Sequence, residues 1–358
     1  MRSALAILGL ALFCCSAAAE EFKSLLRAGI DLQNKIAIGA RDMSELSAVR
    51  QRIDEEFRSA PVAGIGPMQV AGGILAGLLK ADRVASHDRL KSHEVVQAVV
   101  AYVAGTDERA RDSLGRIDVD TVDGVLAPYL AFAKADVSDA DDASAFLKAA
   151  RLSPNSAVEE AAFRRAIRIY LRTERMVESP LLISRYLARY SRSPFAGELI
   201  REIEEFLVQA GRKSGSFERL QRIGLSVGSD RWVRSALIVS RFHLLAGNFG
   251  DAKKFAEAAR QAADRGSIEF VRADLYRDAA AFDPAAARAA SPDPRLNDWD
   301  RDLANFLQMS SREAALASDN FANASLSTAT SAVSPDVRRL PHIEGKIEEA
   351  ERLLAKGK

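Results

Sequence analysis

The sequence predicts an all-α protein, a solenoid of stacked antiparallel helical hairpins. Three observations predict it. Apolar residues recur three and four positions apart through almost every segment, the spacing of one face of a helix. Strict alternation and Val/Ile/Thr-rich runs, the marks of strands, are almost absent. A weak internal repeat sets glycine, small residues and proline where the corners and contacts of helical hairpins need them. The 358 residues are 48% hydrophobic and 28% charged with a net charge of +1, so the chain can bury one or two cores and lacks the bulk charge of a general nucleic-acid binder.

Residues 1–19 read as an export signal. Arg2 opens it, an apolar run follows from Ala4 to Cys15, and the small residues Ala17, Ala18 and Ala19 set a cleavage site before Glu20. The run is shorter than the ~20 residues of a membrane-spanning helix, and no later run exceeds it, so no transmembrane segment is expected. Cys14 and Cys15 both lie inside the signal; the remaining chain needs neither disulfides nor thiolate ligands. A lipidated signal is the competing reading, but it wants a small residue before the cysteine, and Phe13 precedes Cys14. Removing residues 1–19 takes away Arg2 and no acid, leaving 49 basic against 49 acidic side chains. Any electrostatic function then rests on local clustering, and the expected location is the periplasm.

Residues 20–92 form the expected N-terminal helical hairpins. Over 22–58, Leu25, Leu26, Ile30, Leu32 and Ile36 mark the first arm, and the apolar stretch "PMQVAGGILAGLL" suits a buried core helix. Residues 93–281 carry the repeat. Gly105, Ala110, Leu114 and Ile117 have the spacing of Gly247, Ala252, Ala256 and Ala259, and a third copy, Ala143, Leu147 and Ala150, follows the first by 33 residues and ends in a proline. Glycine turning a corner, small residues admitting a close second helix and proline starting the next hairpin is tetratricopeptide logic. An irregular bundle is the alternative, because the tryptophan and most other signature positions are missing. Residues 282–341 read as a linker and a low-hydrophobicity region. Residues 342–358 read as an amphipathic helix with Ile343, Ile347, Ala350 and Leu354 in line, either a cap for the solenoid or a docking helix.

No catalytic, cofactor-binding or metal-binding residues emerge. "GLSVG" at 224–228 matches the nucleophile elbow with Ser226 in the attacking position, but helix-like sequence precedes it where a strand is required, so an interhelical turn is expected. His87 and His93 are six apart, without a metal-ligand pattern, and read as surface residues; His243 reads as packed against a neighbouring helix. Acid pairs such as Asp141-Asp142 and Glu204-Glu205 are expected at helix starts or on solvated faces.

The stretch "RLSPNSAVEEAAFRRAIRIYLRTER" holds the densest charge. Pro154 stops one helix, Ser156 and Glu159 form a capping box for the next, and Phe163, Ala166, Ile167 and Tyr170 make its core stripe. Arg164, Arg168, Arg172 and Arg175 fall within about a quarter turn away from that stripe. Arg185, Arg189 and Arg192 repeat the pattern on the next helix, and Glu198, Glu202, Glu204 and Glu205 then reverse the sign. Two readings stay open. The arginines pair with glutamates of adjacent helices, or they form a basic ridge that docks an acidic partner.

"HEVVQAVVAYVAGTDERARDSLGRID", "FLKAARLSPNSAVEEAAFRRAI" and "RYLARYSRSPFAGELIREIEEFL" resemble the periplasmic motility protein C (MotC) family of rhizobia and related alphaproteobacteria. The likeness covers residues 22–280 and is strongest from 93 to 210; its most specific part is "LxPxSxVEEAAxRR", Leu152 to Arg165. The resemblance implies an exported, non-enzymatic protein needed for flagellar rotation, whose partner is the periplasmic region of the flagellar motor's stator, in the subunit that anchors the motor to peptidoglycan. It supplies no catalytic residues, and it leaves the tail after residue 282 unassigned. The competing function classes are a superhelical accessory subunit or enzyme of peptidoglycan processing and a general tetratricopeptide adaptor for envelope assembly.

Overall fold

The computed structural model describes residues 2–59, 65–84, 87–122, 124–138, 141–173, 179–281 and 293–327. Among these residues every regular element is helical and none is a strand. They fall into two compact units, one of residues 2–281 with 293–301, and a second whose described part is 302–327. Among the described residues no helix is long and apolar enough to cross a membrane.

The first unit begins with α1 (Arg2–Ala37), α2 (Met43–Ser59) and α3 (Pro67–Leu75). α1 is continuous through Ala19 and Glu20; Ala19 is buried, and the exposed Glu20 pairs with Lys23 at 2.8 Å. Its inward face is Phe22, Leu26 and Ile36, with Leu25, Ile30 and Leu32 half-buried. α3 is the expected core helix, burying Val70, Ala71 and Ile74. Short helical turns α4 (Ala81–Val84) and α5 (Asp88–Lys91) lead into α6 (Glu94–Val103) and α7 (Asp107–Arg116).

Eight longer helices follow: α8 (Leu126–Asp136), α9 (Ala143–Leu152), α10 (Ala157–Arg172), α11 (Ser179–Tyr190), α12 (Ala196–Gly211), α13 (Phe217–Val227), α14 (Ser229–Leu245) and α15 (Phe249–Ala262). α16 (Ile268–Ala281) ends the run, and α17 (Asp298–Ser327) begins in the first unit and supplies the described part of the second. Packing is local. α6 lies on α7, α8 on α9, α10 on α9 and α11, α12 on α13 and α14, and α14 on α15 and α16, while α11 also meets α13.

The repeat positions occupy the contacts. Ala110, Leu114 and Ile117 are buried on α7, and Ala252, Ala256 and Ala259 on α15. Gly105 and Gly247 end α6 and α14 with φ of 70° and 73°, the left-handed conformation that glycine adopts without steric penalty. The third copy is matched in part, at Ala143 and Ala150. On α9 the inward residues are Ala143, Phe146, Ala149 and Ala150, and Leu147 is only half-buried.

Aromatic rings fill the widest part of this core. Trp232 is buried on α14 and lies 6.1 Å from Phe255, which meets Phe217 edge-on at 5.1 Å. Burying a ring of this size contributes about 2 kcal/mol. Residues 293–301, inside the interval assigned to a linker, are tied down. Asp300 is fully buried; its Oδ1 accepts from Tyr276 at 2.5 Å, and its Oδ2 accepts from Asn297 at 2.6 Å and pairs with Arg272 at 2.8 Å. Trp299 stands edge-on to Tyr276 and carries Arg241 over its face at 4.1 Å. In the second unit, Leu307 and Ser311 of α17 are buried, whereas Phe306 and Met309 are exposed.

A Cβ added at Gly224 would overlap the Trp232 ring, so α13 approaches α14 only because this residue has no side chain. Gly224→Ala is expected to destabilise the fold by about 1–3 kcal/mol through overpacking, read as a lowered urea midpoint with unchanged helicity at zero denaturant.

Candidate functional site

The α10 amino terminus is where the charged residues converge. Asn155 takes φ of 59°, and Ser156 Oγ accepts from the Glu159 amide at 3.1 Å. The return bond of the capping box closes one residue early, with Glu159 Oε2 accepting from the Asn155 amide at 2.7 Å. On the helical wheel Glu159 falls within the Phe163/Ala166/Ile167/Tyr170 stripe and Glu160 at its edge, so the helix carries both carboxylates into the core as it packs.

α11 supplies what they need. Glu159 accepts from Tyr190 at 2.6 Å and from Arg189 at 2.5 Å. Glu160 accepts from Tyr186 at 2.8 Å, from Ser193 at 3.0 Å and from Arg164 Nε at 2.9 Å. Burial, and then the neighbouring carboxylates, push both phenols well above the usual tyrosine range, which keeps them protonated as donors. With every acid facing an arginine and hydroxyl donors, the cluster is built to hold α10 against α11. It offers no free acid or base for catalysis.

Ion pairs continue from this cluster across successive helices. Tyr102 of α6 donates to Asp136 of α8 at 2.9 Å, and Asp136 pairs with Arg165 of α10 at 3.0 Å. Arg168 grips Glu202 of α12 with two bonds of 2.7 Å and reaches Glu198 at 3.3 Å. The hydrogen bond from Arg168 holds the Glu202 carboxyl below its ordinary range. Glu204 then meets Arg231 and Arg234 of α14 at 3.6 and 3.2 Å.

The seven arginines singled out in the sequence therefore do not form one group. Arg164, Arg168 and Arg189 pair within the fold as above, and Arg172 pairs with Asp141 beside the α9 cap, where Asp142 accepts from the Ser144 amide. Arg185 on α11 and Arg192 just past its end are exposed and have no ion pair among the described residues. Arg175 lies outside the described residues. The buried role of Glu159 and Glu160 went unread in the sequence, although their places within and beside the apolar stripe carried the signal.

Other expected sites resolve differently. Ser226 lies in the last turn of α13 and donates to the Ile223 carbonyl at 2.6 Å, and the expected interhelical turn falls at the end of the motif, at Gly228, where φ is 121°. His243 is fully buried, with Nε2 2.8 Å from the Gly211 carbonyl of α12 and its ring stacked on Phe255 of α15. His87 is half-buried against the Phe57 ring at 5.4 Å, and His93 is half-buried at the start of α6, so neither is a free surface residue. His342 lies outside the described residues. Among the described residues no group of three or more His, Cys, Asp or Glu is placed to hold a metal. An apolar cavity of about 290 Å³, lined by residues including Leu26, Ile30, Met68, Val125 and Leu126, takes none of its lining from the charged cluster.

Glu160→Ala leaves the half-buried Arg164 and two buried hydroxyls without their acceptor and is expected to cost about 3–5 kcal/mol, against about 1 kcal/mol or less for Arg168→Ala at the surface, both measured by urea denaturation. A tyrosine whose folded pKa exceeds its unfolded value near 10 holds its proton more tightly when folded, so its contribution is complete below that pH and is lost above it. The thermal midpoint is accordingly expected to fall as the pH is raised beyond about 10, and to fall less in Tyr186→Phe/Tyr190→Phe when each protein is compared with its own midpoint at neutral pH.

A family model described as chemotaxis protein MotC matches residues 74–353. The match starts later than the resemblance drawn over residues 22–280, and it takes in the tail after residue 282 that the resemblance left unassigned. No curated protein and no solved structure matches this chain. With the family model spanning well over half of the residues, the chain belongs to the chemotaxis protein MotC family.

Proposed function

We propose that this chain is a non-enzymatic periplasmic scaffold required for flagellar rotation, exported with removal of residues 1–19, and that it binds the periplasmic region of the stator subunit that anchors the flagellar motor to peptidoglycan. Membership in the chemotaxis protein MotC family carries the reading. In it, the helices form a tetratricopeptide-like α-solenoid of stacked antiparallel hairpins. The packing of each helix on its near neighbours in sequence and the left-handed glycines at 105 and 247 support that architecture. A stack of this kind presents long outer faces on a framework stiffened by ion pairs, which suits capture of another macromolecule better than turnover of a small one.

Deletion of the gene is expected to leave cells with flagella but unable to spread on soft agar, and the protein recovered from the periplasm is expected to begin at Glu20. Normal swimming with weakened envelope integrity would instead favour a role in peptidoglycan processing or envelope assembly. An intact residue 1–19 segment on the mature protein would remove the export step.

A further inference from the structure

α11 and α13 turn unequal faces inward and outward. α11 buries Leu182, Ile183, Tyr186 and Tyr190, and α13 buries Leu220, Ile223, Gly224 and Val227. On the opposite arc of α11 lie Leu181 and Arg185, about 40° apart at 100° per residue, and the exposed Arg192 follows just past the helix end. The outer arc of α13 carries Arg219, Arg222 and Leu225. The two helices pack against one another, each with its apolar face turned inward. Among the described residues none of these four guanidinium groups has an ion pair, and the acid on this arc, Glu218, is paired with Lys254 at 3.7 Å. Leu181 is 80% exposed and Leu225 51% exposed, so each stands clear of the core.

We propose that this outer face of α11 and α13 is a docking surface for an acidic protein segment, with Arg185, Arg192, Arg219 and Arg222 gripping its carboxylates and Leu181 and Leu225 receiving its apolar side chains. Guanidinium forks match carboxylates two bonds at a time, a geometry that ammonium groups do not reproduce. The described arginines of α10 are paired with carboxylates; these four are not, and unpaired cations gathered on one face draw a partner of opposite sign. A lipid surface fits less well. Helices that lie in a membrane interface bury a broad apolar face there, and α11 and α13 have already committed theirs to the core, leaving two separated leucines. The face deepens the docking reading above and rests on it only for the identity of the partner.

The test uses the purified full chain and a short fluorescein-labelled peptide of glutamates with interspersed leucines, followed by anisotropy, with phosphatidylglycerol vesicles in a parallel sedimentation arm. Peptide binding is expected to weaken as salt rises, to drop roughly tenfold or more in Arg185→Glu/Arg222→Glu, and to stay unchanged in Arg52→Glu/Arg109→Glu, which reverses the same charge on α2 and α7. Circular dichroism is expected to match the parent in both variants, because all four positions are exposed. Equal losses in the two variants, no peptide binding at ~0.15 M salt, or vesicle binding without peptide binding overturns the proposal. The motor reading fails separately. A deletion strain that swims removes it while leaving a peptide-binding face intact, whereas a paralysed strain rescued by Arg185→Glu/Arg222→Glu removes the face alone.

Discussion

A helix that turns two adjacent carboxylates into a protein core must bring their partners with it, because an uncompensated buried charge costs several kcal/mol. Glu159 and Glu160 impose that condition here. It sets the rotation of α11, since Tyr186 and Tyr190 must both reach back to α10, and it places Ser193 and Arg189 beside them. The amino-terminal arm joins at the same point. Asn34 of α1 accepts from the Ala157 amide at 3.0 Å, and a Cβ on Gly39 would overlap Cβ of Arg192, so the end of α1 is seated against the start of α10 and the end of α11. Once α11 is held this way, its outward arc is determined, and with it the exposure of Leu181, Arg185 and Arg192.

The ion pairs that run from Asp136 through Arg165, Arg168 and Glu202 to Glu204 and Arg234 play a different part. Each is partly exposed and contributes about 1 kcal/mol or less. Their effect is on register. Every link joins a helix to the next but one in the chain, α8 to α10, α10 to α12 and α12 to α14, so a helix that slipped along its neighbour would break pairs on both sides. Apolar packing holds neighbouring helices together, and the charges keep them in step. At the far end the same task passes to buried groups, with Asp300, Arg272 and Tyr276 fastening the first turn of α17 and Trp299 lying under Arg241.

This division matters for a member of a motility family with no catalytic constellation among its described residues. Each described arginine of α10 already faces a carboxylate of the fold. The outward side of α11 and α13, by contrast, carries arginines without an ion pair among the described residues beside two exposed leucines. The groups that hold the helices in place are therefore distinct from the unpaired groups on that outward side.

Much of the fold was legible in the sequence because its determinants are local. Spacing of three and four marked the helices, Ser156 and Asp142 announced two helix starts, and Gly105 and Gly247 marked corners through a backbone conformation that few other residues accept. His243 among apolar neighbours already read as packed. Less was legible wherever the deciding contact spans distant positions. The register of α9 depends on which of Phe146 and Leu147 meets α8 and α10, and the burial of Glu159 and Glu160 depends on tyrosines about thirty residues away. By itself the sequence determined that the chain is helical, where many of its helices begin and end, and that its charges are clustered against a balanced total. Only the tertiary structure decided which arginines are consumed by glutamates and which face outward, because the pairing of a flexible, long-armed side chain is settled by the neighbour that packing brings within reach, and not by the residues beside it in the chain.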